Sequence, residues 1–113
     1  MANLESDIIK ATVRGFSRVL ILWLITQKPM SGYSITKELK KLTGQSFHSG
    51  VVYPLLYELE ENGLIAGKWV QKRRRRIKYY SITKEGIKVL NRLREIFEMP
   101  VKEFLKDFIT QRS

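Results

Sequence analysis

Four arginines stand in an unbroken row at Arg73, Arg74, Arg75 and Arg76, inside the stretch KRRRRIKYY of residues 72–80. Adjacent guanidinium groups repel one another, so such a row is comfortable only in water or against something acidic. Residues 64–83 hold seven Lys and Arg side chains and no Asp or Glu, so +7 of the formal net charge of +10 sits in 20 residues. A diffuse excess serves solubility, whereas a concentrated one is the electrostatic footprint of a polyanion site. The chemistry on offer is phosphate binding by Lys72 and the four arginines. A solvated basic loop is the plainer reading of the same residues.

A second group precedes them. The turn-rich TGQSFHSG places Ser46, His48, Ser49 and Gly50 at the entrance of a helix. Free backbone N–H groups and the positive end of the helix dipole favour phosphate oxygens there. Tyr53 and Tyr57, four residues apart, share the helix face that Val52, Leu55, Leu56 and Leu59 leave free. Ser49 and Tyr53 are the expected DNA contacts, against the plainer alternative that Tyr53 packs on the following hairpin. Lys37, on the preceding helix, suits a phosphate or a solvated face equally well.

Catalysis finds no footing in these residues. His48 is the one histidine, no second metal ligand is spaced to help it, and there are no cysteines for disulfides or thiolate sites. No phosphate-cradling glycine loop and no convergent set of titratable groups appears. Glu58, Glu60 and Glu61 read as solubilising residues at a helix end. The expectation is a protein that is not an enzyme and needs no cofactor and no metal.

The elements that must position these groups follow from periodicity. A chain of 113 residues fits one compact domain with a modest core. Apolar residues from Ile9 to Leu24 recur at helical spacing, which predicts a long first helix from about Leu4 to Gln27, weakened at Gly15 and stopped at Pro29. Ser31 or Ser34 caps a second helix with Ile35, Leu39 and Leu42 on its inner face. The third starts near Gly50 or Val51, with Pro54 awkward inside it, and closes at Gly63. LIAGKWV and IKYYSI then alternate as strands of a β-hairpin, with QKRRRR as its polar tip. Thr83 opens a last helix that Pro100 kinks or divides.

Three helices, a hairpin and a further helix make a winged helix-turn-helix, mostly α with a β-hairpin wing. Its third helix enters the major groove and its hairpin lies along the flanking backbone. Residues 1–83 form the DNA-binding region with its N-terminal helix extension, and residues 84–113 the C-terminal helix. Leu93, Phe97, Val101, Phe104, Leu105, Phe108 and Ile109 continue an apolar stripe past the point where a small winged domain ends. Each large side chain left wet forgoes roughly 1.5 to 3 kcal/mol of burial. The stripe therefore predicts a homodimer, with the fold-back of this helix on its own domain as the alternative.

RGFSRVLILWLI, KPMSGYSITKEL, SGVVYPLLYELEENGLI and RIKYYSITKEGIKVL together resemble the phenolic-acid-responsive PadR family of transcriptional regulators, over about residues 14–95. The short extension after the hairpin is similar to the family's shorter branch. The resemblance implies a dimeric winged-helix protein whose C-terminal helix and part of the first helix form the dimer. It also implies that Tyr53 and the residues before it lie at DNA, with Arg73 to Arg76 as the wing.

The function expected is sequence-specific binding of double-stranded DNA by a homodimer on a pseudo-palindromic operator, as a repressor. An RNA-binding or protein-interaction winged helix is the alternative. Single-strand RNA readers present stacked aromatics on an open sheet, whereas here Tyr80 is expected to pack inward with Ile82. A small-molecule effector is compatible with this class. The longest apolar run, Val19 to Ile25, falls far short of the roughly 20 residues of a membrane span. No signal-peptide pattern opens the chain, and a cytoplasmic protein follows.

Overall fold

The computed structural model describes residues 3–44 and 49–111, Ser49 by its backbone alone. Helix α1 (Leu4–Gln27) begins where the Asn3 side chain accepts a hydrogen bond from the Ser6 N–H, and it runs unbroken through Gly15. Its two halves differ. The back half buries Ile21, Leu22, Leu24 and Ile25, while Leu4, Ile8, Ile9 and Val13 of the front half stay exposed. Pro29 cannot extend the helical ladder, and the chain straightens into strand β1 (Met30–Ser31).

Helix α2 (Gly32–Thr43) starts under the Ser31 hydroxyl, which accepts from the Ser34 N–H at 3.1 Å, and ends at Gly44 in the left-handed region at φ 70°. Helix α3 (Ser49–Glu61) carries Pro54 in its second turn, where the missing N–H leaves it one bond short. At its far end Gly63, φ 74°, donates to the Glu60 carbonyl at 3.0 Å while Leu64 donates to that of Leu59 at 3.0 Å. This pair of bonds closes a helix around a left-handed glycine and turns the chain sharply into the hairpin.

Strands β2 (Ile65–Lys72) and β3 (Arg75–Ile82) pair antiparallel from Ile65↔Ile82 to Lys72↔Arg75. Thr83 then serves two elements at once. Its hydroxyl oxygen accepts from the Gly86 N–H at 3.1 Å to cap helix α4 (Lys84–Phe97), and its hydroxyl donates to the Gly63 carbonyl at 2.6 Å. Pro100 separates α4 from helix α5 (Val101–Thr110).

The architecture is the expected one, mostly helical with a hairpin after the third helix, and two details differ. The sheet has three strands in the order β1-β3-β2, with Met30 and Ser31 paired to Tyr80 and Tyr79. A two-residue strand offers no alternation to read. The hairpin strands also run further than QKRRRR as a tip allows, so Arg75 and Arg76 belong to β3 and only Arg73 and Arg74 form the turn.

The core collects the back half of α1, Met30, Ile35 and Leu39 of α2, and Val52, Leu55, Leu56 and Leu59 of α3, closed by Ile65, Tyr80 and Leu90. Tyr80 does pack inward, with Ile82 partly buried beside the core. Several residues of the apolar stripes read from periodicity do not reach it, Ile9, Val13 and Phe16 of α1 among them. Trp23 (44% exposed) and Leu42 (49%) meet across a groove under the hairpin, and Phe97 (40%) sits past the last buried turn of α4. The radius of gyration is 16.0 Å and the longest axis 54 Å. A compact chain of this length has a radius near 13 Å. The excess fits the parts that stand clear of the core: the hairpin, the front of α1 and α5.

Gly86 is buried at the start of α4, and a Cβ there would come within 2.2 Å of the Leu64 carbonyl and 2.7 Å of Ile82. Backbone cannot yield as a side chain end does. Gly86→Ala is expected to lower stability by about 1–3 kcal/mol by overpacking this joint, read as a fall in thermal melting temperature. An unchanged melt shows that α4 can lift off Leu64 and Ile82 freely.

Candidate nucleic-acid interface

The hairpin tip is a two-residue turn, and such turns usually take Asn or Gly because they need positive φ. Here Arg73 takes it, at φ 56°, and it is the non-glycine residue with positive φ among those described. A side chain in that region costs roughly 1–2 kcal/mol. The Gln71 side chain amide donates to the Arg73 carbonyl at 2.9 Å and steadies the turn.

Alternation divides the cations of the hairpin between its two faces. The register puts Arg76 and Lys78 on one face with Trp69, Gly67 and Tyr80, and Lys68, Lys72 and Arg75 on the other with Val70, Ile77 and Tyr79. Aromatic rings take up the charged ends. The Arg76 guanidinium lies 5.2 Å from the Trp69 ring centre, Lys78 lies 5.2 Å from that of Tyr80, and Lys72 lies 5.3 Å from that of Tyr79. Each such contact contributes roughly 0.5–1 kcal/mol at an exposed site, and together they space the cations apart in a strand pair that holds no acid.

Past Tyr79 toward the tip, β1 has ended and β3 is an edge strand. The groove beside it is lined by Ser31 to Ser34 at the start of α2, by Tyr53 of α3, and by Trp69 with Arg75, Arg76 and Lys78 of the hairpin. Tyr53 rests on Gly32, where a Cβ would come 2.6 Å from its ring. The residue remains 44% exposed, so the ring packs on α2 with one side and faces the groove with the rest. Burial pushes the Tyr80 hydroxyl pKa up, with Lys78 opposing, so Tyr80 is neutral behind the groove.

Two glutamates read from sequence as solubilising are fasteners. The Glu58 carboxylate accepts from Arg18 Nε at 2.6 Å and lies 3.6 Å from Arg14, joining α3 to α1. The Arg18 hydrogen bond holds its pKa below the usual carboxylate range, against the pull of burial. Glu60 spans the hairpin: Oε1 accepts from Lys78 Nζ at 2.8 Å and Oε2 from the Gly67 N–H at 3.1 Å. That hydrogen bond pushes the Lys78 pKa up, again against burial. Glu61 is exposed.

The groove thus gathers Tyr53, Arg75 and Arg76 of the expected site. Lys72, Arg73 and Arg74 surround the tip beside it. Lys37 is exposed, with its amino group 5.6 Å from the ring centre of Tyr33, a groove residue. Tyr57 is exposed on α3 outside the groove. Gly50 lines a different recess, facing Ile9 and Val13 of α1. Ser46, His48 and the Ser49 side chain lie outside the described residues. Of the C-terminal stripe, Leu93 and Leu105 are half-buried, while Phe97, Val101, Phe104, Phe108 and Ile109 are exposed. Phe104 and Phe108 stack at 5.8 Å, and α5 has no buried residue.

Sequence reasoning missed Tyr33, Trp69, Lys78 and Glu60 as parts of this surface. Lys78 and Trp69 lay inside the acid-free block, and Glu60 follows Tyr53 by seven residues, two helical turns along one face.

No group of three or more His, Cys, Asp or Glu that could hold a metal ion occurs among the described residues, and no helix there is long and apolar enough to cross a membrane. No curated protein matches the chain significantly. Solved structures do. A PadR-like transcriptional regulator from Bacillus cereus is 25% identical, with 90% of this chain and 99% of that one covered at a TM-score of 0.76. A transcriptional regulator from Clostridium thermocellum is 28% identical, covering 88% and 96% at 0.73. A PadR family regulator from Eggerthella lenta is 28% identical, covering 97% and 100% at 0.66. The family model described as "Transcriptional regulator PadR-like family" matches residues 21–92, the span from the buried half of α1 through most of α4. A winged helix whose third helix and basic hairpin share one groove, matched over most of its length by that family, is a regulator and not an enzyme: the chain belongs to the PadR-like family of transcriptional regulators.

Proposed function

We propose that the protein is a cytoplasmic homodimer that binds a pseudo-palindromic operator in double-stranded DNA and represses by obstruction. The observation that carries the reading is the shared groove, in which Tyr53 of α3 faces the same space as Arg75 and Arg76 of the hairpin. A duplex laid there meets the third helix and the wing together. Phosphate contacts from the wing supply affinity, helped by the backbone N–H of Gly50, and side chains at and before the start of α3, with Ser46, His48, Ser49 and Tyr53 as candidates, supply base discrimination. Lys37 and Tyr57 flank this surface.

In this reading residues 1–83 carry the DNA-binding region and residues 84–113 the dimer. The mostly exposed stripe from Phe97 at the end of α4 to Ile109 on α5 and the exposed front of α1 support it, because a monomer leaves both faces in water. A second subunit offers the same two faces in return, as a two-fold interface requires. Two recognition helices then sit about one DNA turn apart, ~34 Å, which matches an inverted repeat.

Three outcomes test the proposal. Replacing Arg73, Arg74, Arg75 and Arg76 by Gln is expected to flatten the slope of log K against log salt by about 4 to 5 per dimer, at ~0.9 per phosphate with two or three phosphates per wing. An unchanged slope removes the wing from the DNA. Arg73→Gly is expected to separate folding from binding. Relief of the positive φ raises stability by up to about 1 kcal/mol in thermal melts, while operator affinity falls. Weaker folding with unaltered affinity contradicts both parts. Phe104→Glu is expected to give a folded monomer in sedimentation, and persistence of the dimer places the interface elsewhere.

A further inference from the structure

We infer that Glu60 is a positioning residue for DNA recognition: without touching DNA, it sets the angle of the hairpin against α3. The inference rests on the DNA-binding reading above. Tyr53 and Glu60 lie seven residues apart on α3 and so share a face. The first faces the groove, and the second holds the base of the hairpin. One carboxylate engages both strands, through the Gly67 N–H of β2 at 3.1 Å and Lys78 Nζ of β3 at 2.8 Å. Two bonds from one rigid group restrain rotation as well as distance. The pair is only partly open to water, with 26% of the Lys78 side chain and 32% of that of Glu60 exposed, so salt screens it less than an open surface pair.

Gly67 makes room for this fastening. A Cβ there would come 2.1 Å from Lys78 Cε and 2.9 Å from Glu60 Oε2. The leverage is large. Arg73 lies six residues beyond Gly67, about 20 Å along the strand at ~3.3 Å per residue, so a tilt of about 10° at the base moves the tip by about 3.5 Å. That displacement exceeds the whole length of a hydrogen bond.

The sign of the charge change separates positioning from simple electrostatics. Glu60→Gln removes a negative charge beside a polyanion site, and Coulomb attraction alone then predicts tighter binding to any duplex. Positioning predicts the opposite for the cognate site, because cognate binding needs wing and helix in register, whereas loose binding to random duplex does not.

The test uses the full-length chain, the duplex that the wild type selects from random DNA, and a random duplex of equal length. Glu60→Gln is expected to weaken cognate binding about tenfold, the equivalent of one lost base contact, while random-duplex affinity holds or rises. Gly67→Ala, which displaces Lys78 and changes no charge, is expected to give the same cognate loss. Thermal melting confirms that each variant is folded at the binding temperature. Cognate affinity rising in step with random affinity in Glu60→Gln makes Glu60 a mere charge and overturns the inference. A parallel fall on both duplexes in the two variants makes it a mere folding residue and does the same. Failure of the broader reading is distinct, since the wild type itself would then select no duplex.

Discussion

The hairpin carries its cations with no acid of its own, so whatever fixes it must come from elsewhere in the chain. Seven positive side chains in residues 64–83 repel one another along two short strands. Aromatic rings at Trp69, Tyr79 and Tyr80 absorb part of that repulsion by seating cations over their faces. The remaining attraction is supplied by Glu60, one carboxylate on α3 that holds both strands. Much of the molecule's order serves this joint: Gly63 turns the chain from α3 into β2, Gly67 clears space for the lysine, and Thr83 returns the far strand to the helix end.

Placing the fasteners explains why a core of modest size supports so extended a shape. The buried residues of α1, α2 and α3 form a tight triangle around Ile21, Ile35 and Leu56, each fully buried. Glu58 ties α3 to α1 within the triangle, and beyond it the hairpin is held by Glu60 and α4 by Gly86 lying against Leu64. In the proposed reading, a wing that meets a duplex stays unburied, and a face that meets a second subunit keeps apolar side chains in reserve. The exposed cations of the hairpin and the exposed phenylalanines of α5 fit that division.

Much of this was legible in the sequence, because the relevant signals are local. The bounds of α1 follow from apolar spacing and Pro29, the start of α4 from Thr83 and the end of α3 from Gly63, while of the two serines offered as the α2 cap it is Ser31 that serves. Of the residues lining the groove, Tyr53, Arg75 and Arg76 stand out in the sequence by face and charge. What was not readable depends on long-range geometry. Strand β1 exists only because β3 comes to lie beside Met30, Glu58 and Glu60 find their partners 40 and 18 residues away, and Leu42 and Trp23 are apolar residues that stay partly in water. Spacing along one helix cannot reveal which of its charged residues will meet another element.

Because β1 is only two residues long, residues 75–78 of β3 present unpaired backbone groups along an open rim. Rims of that kind invite a second chain to add itself as a neighbouring strand. Here the rim bears Arg75, Arg76 and Lys78, so two such molecules repel each other before their backbones can zip together. The charges proposed to meet a duplex therefore have a second effect, since they oppose the addition of an identical chain to this open strand.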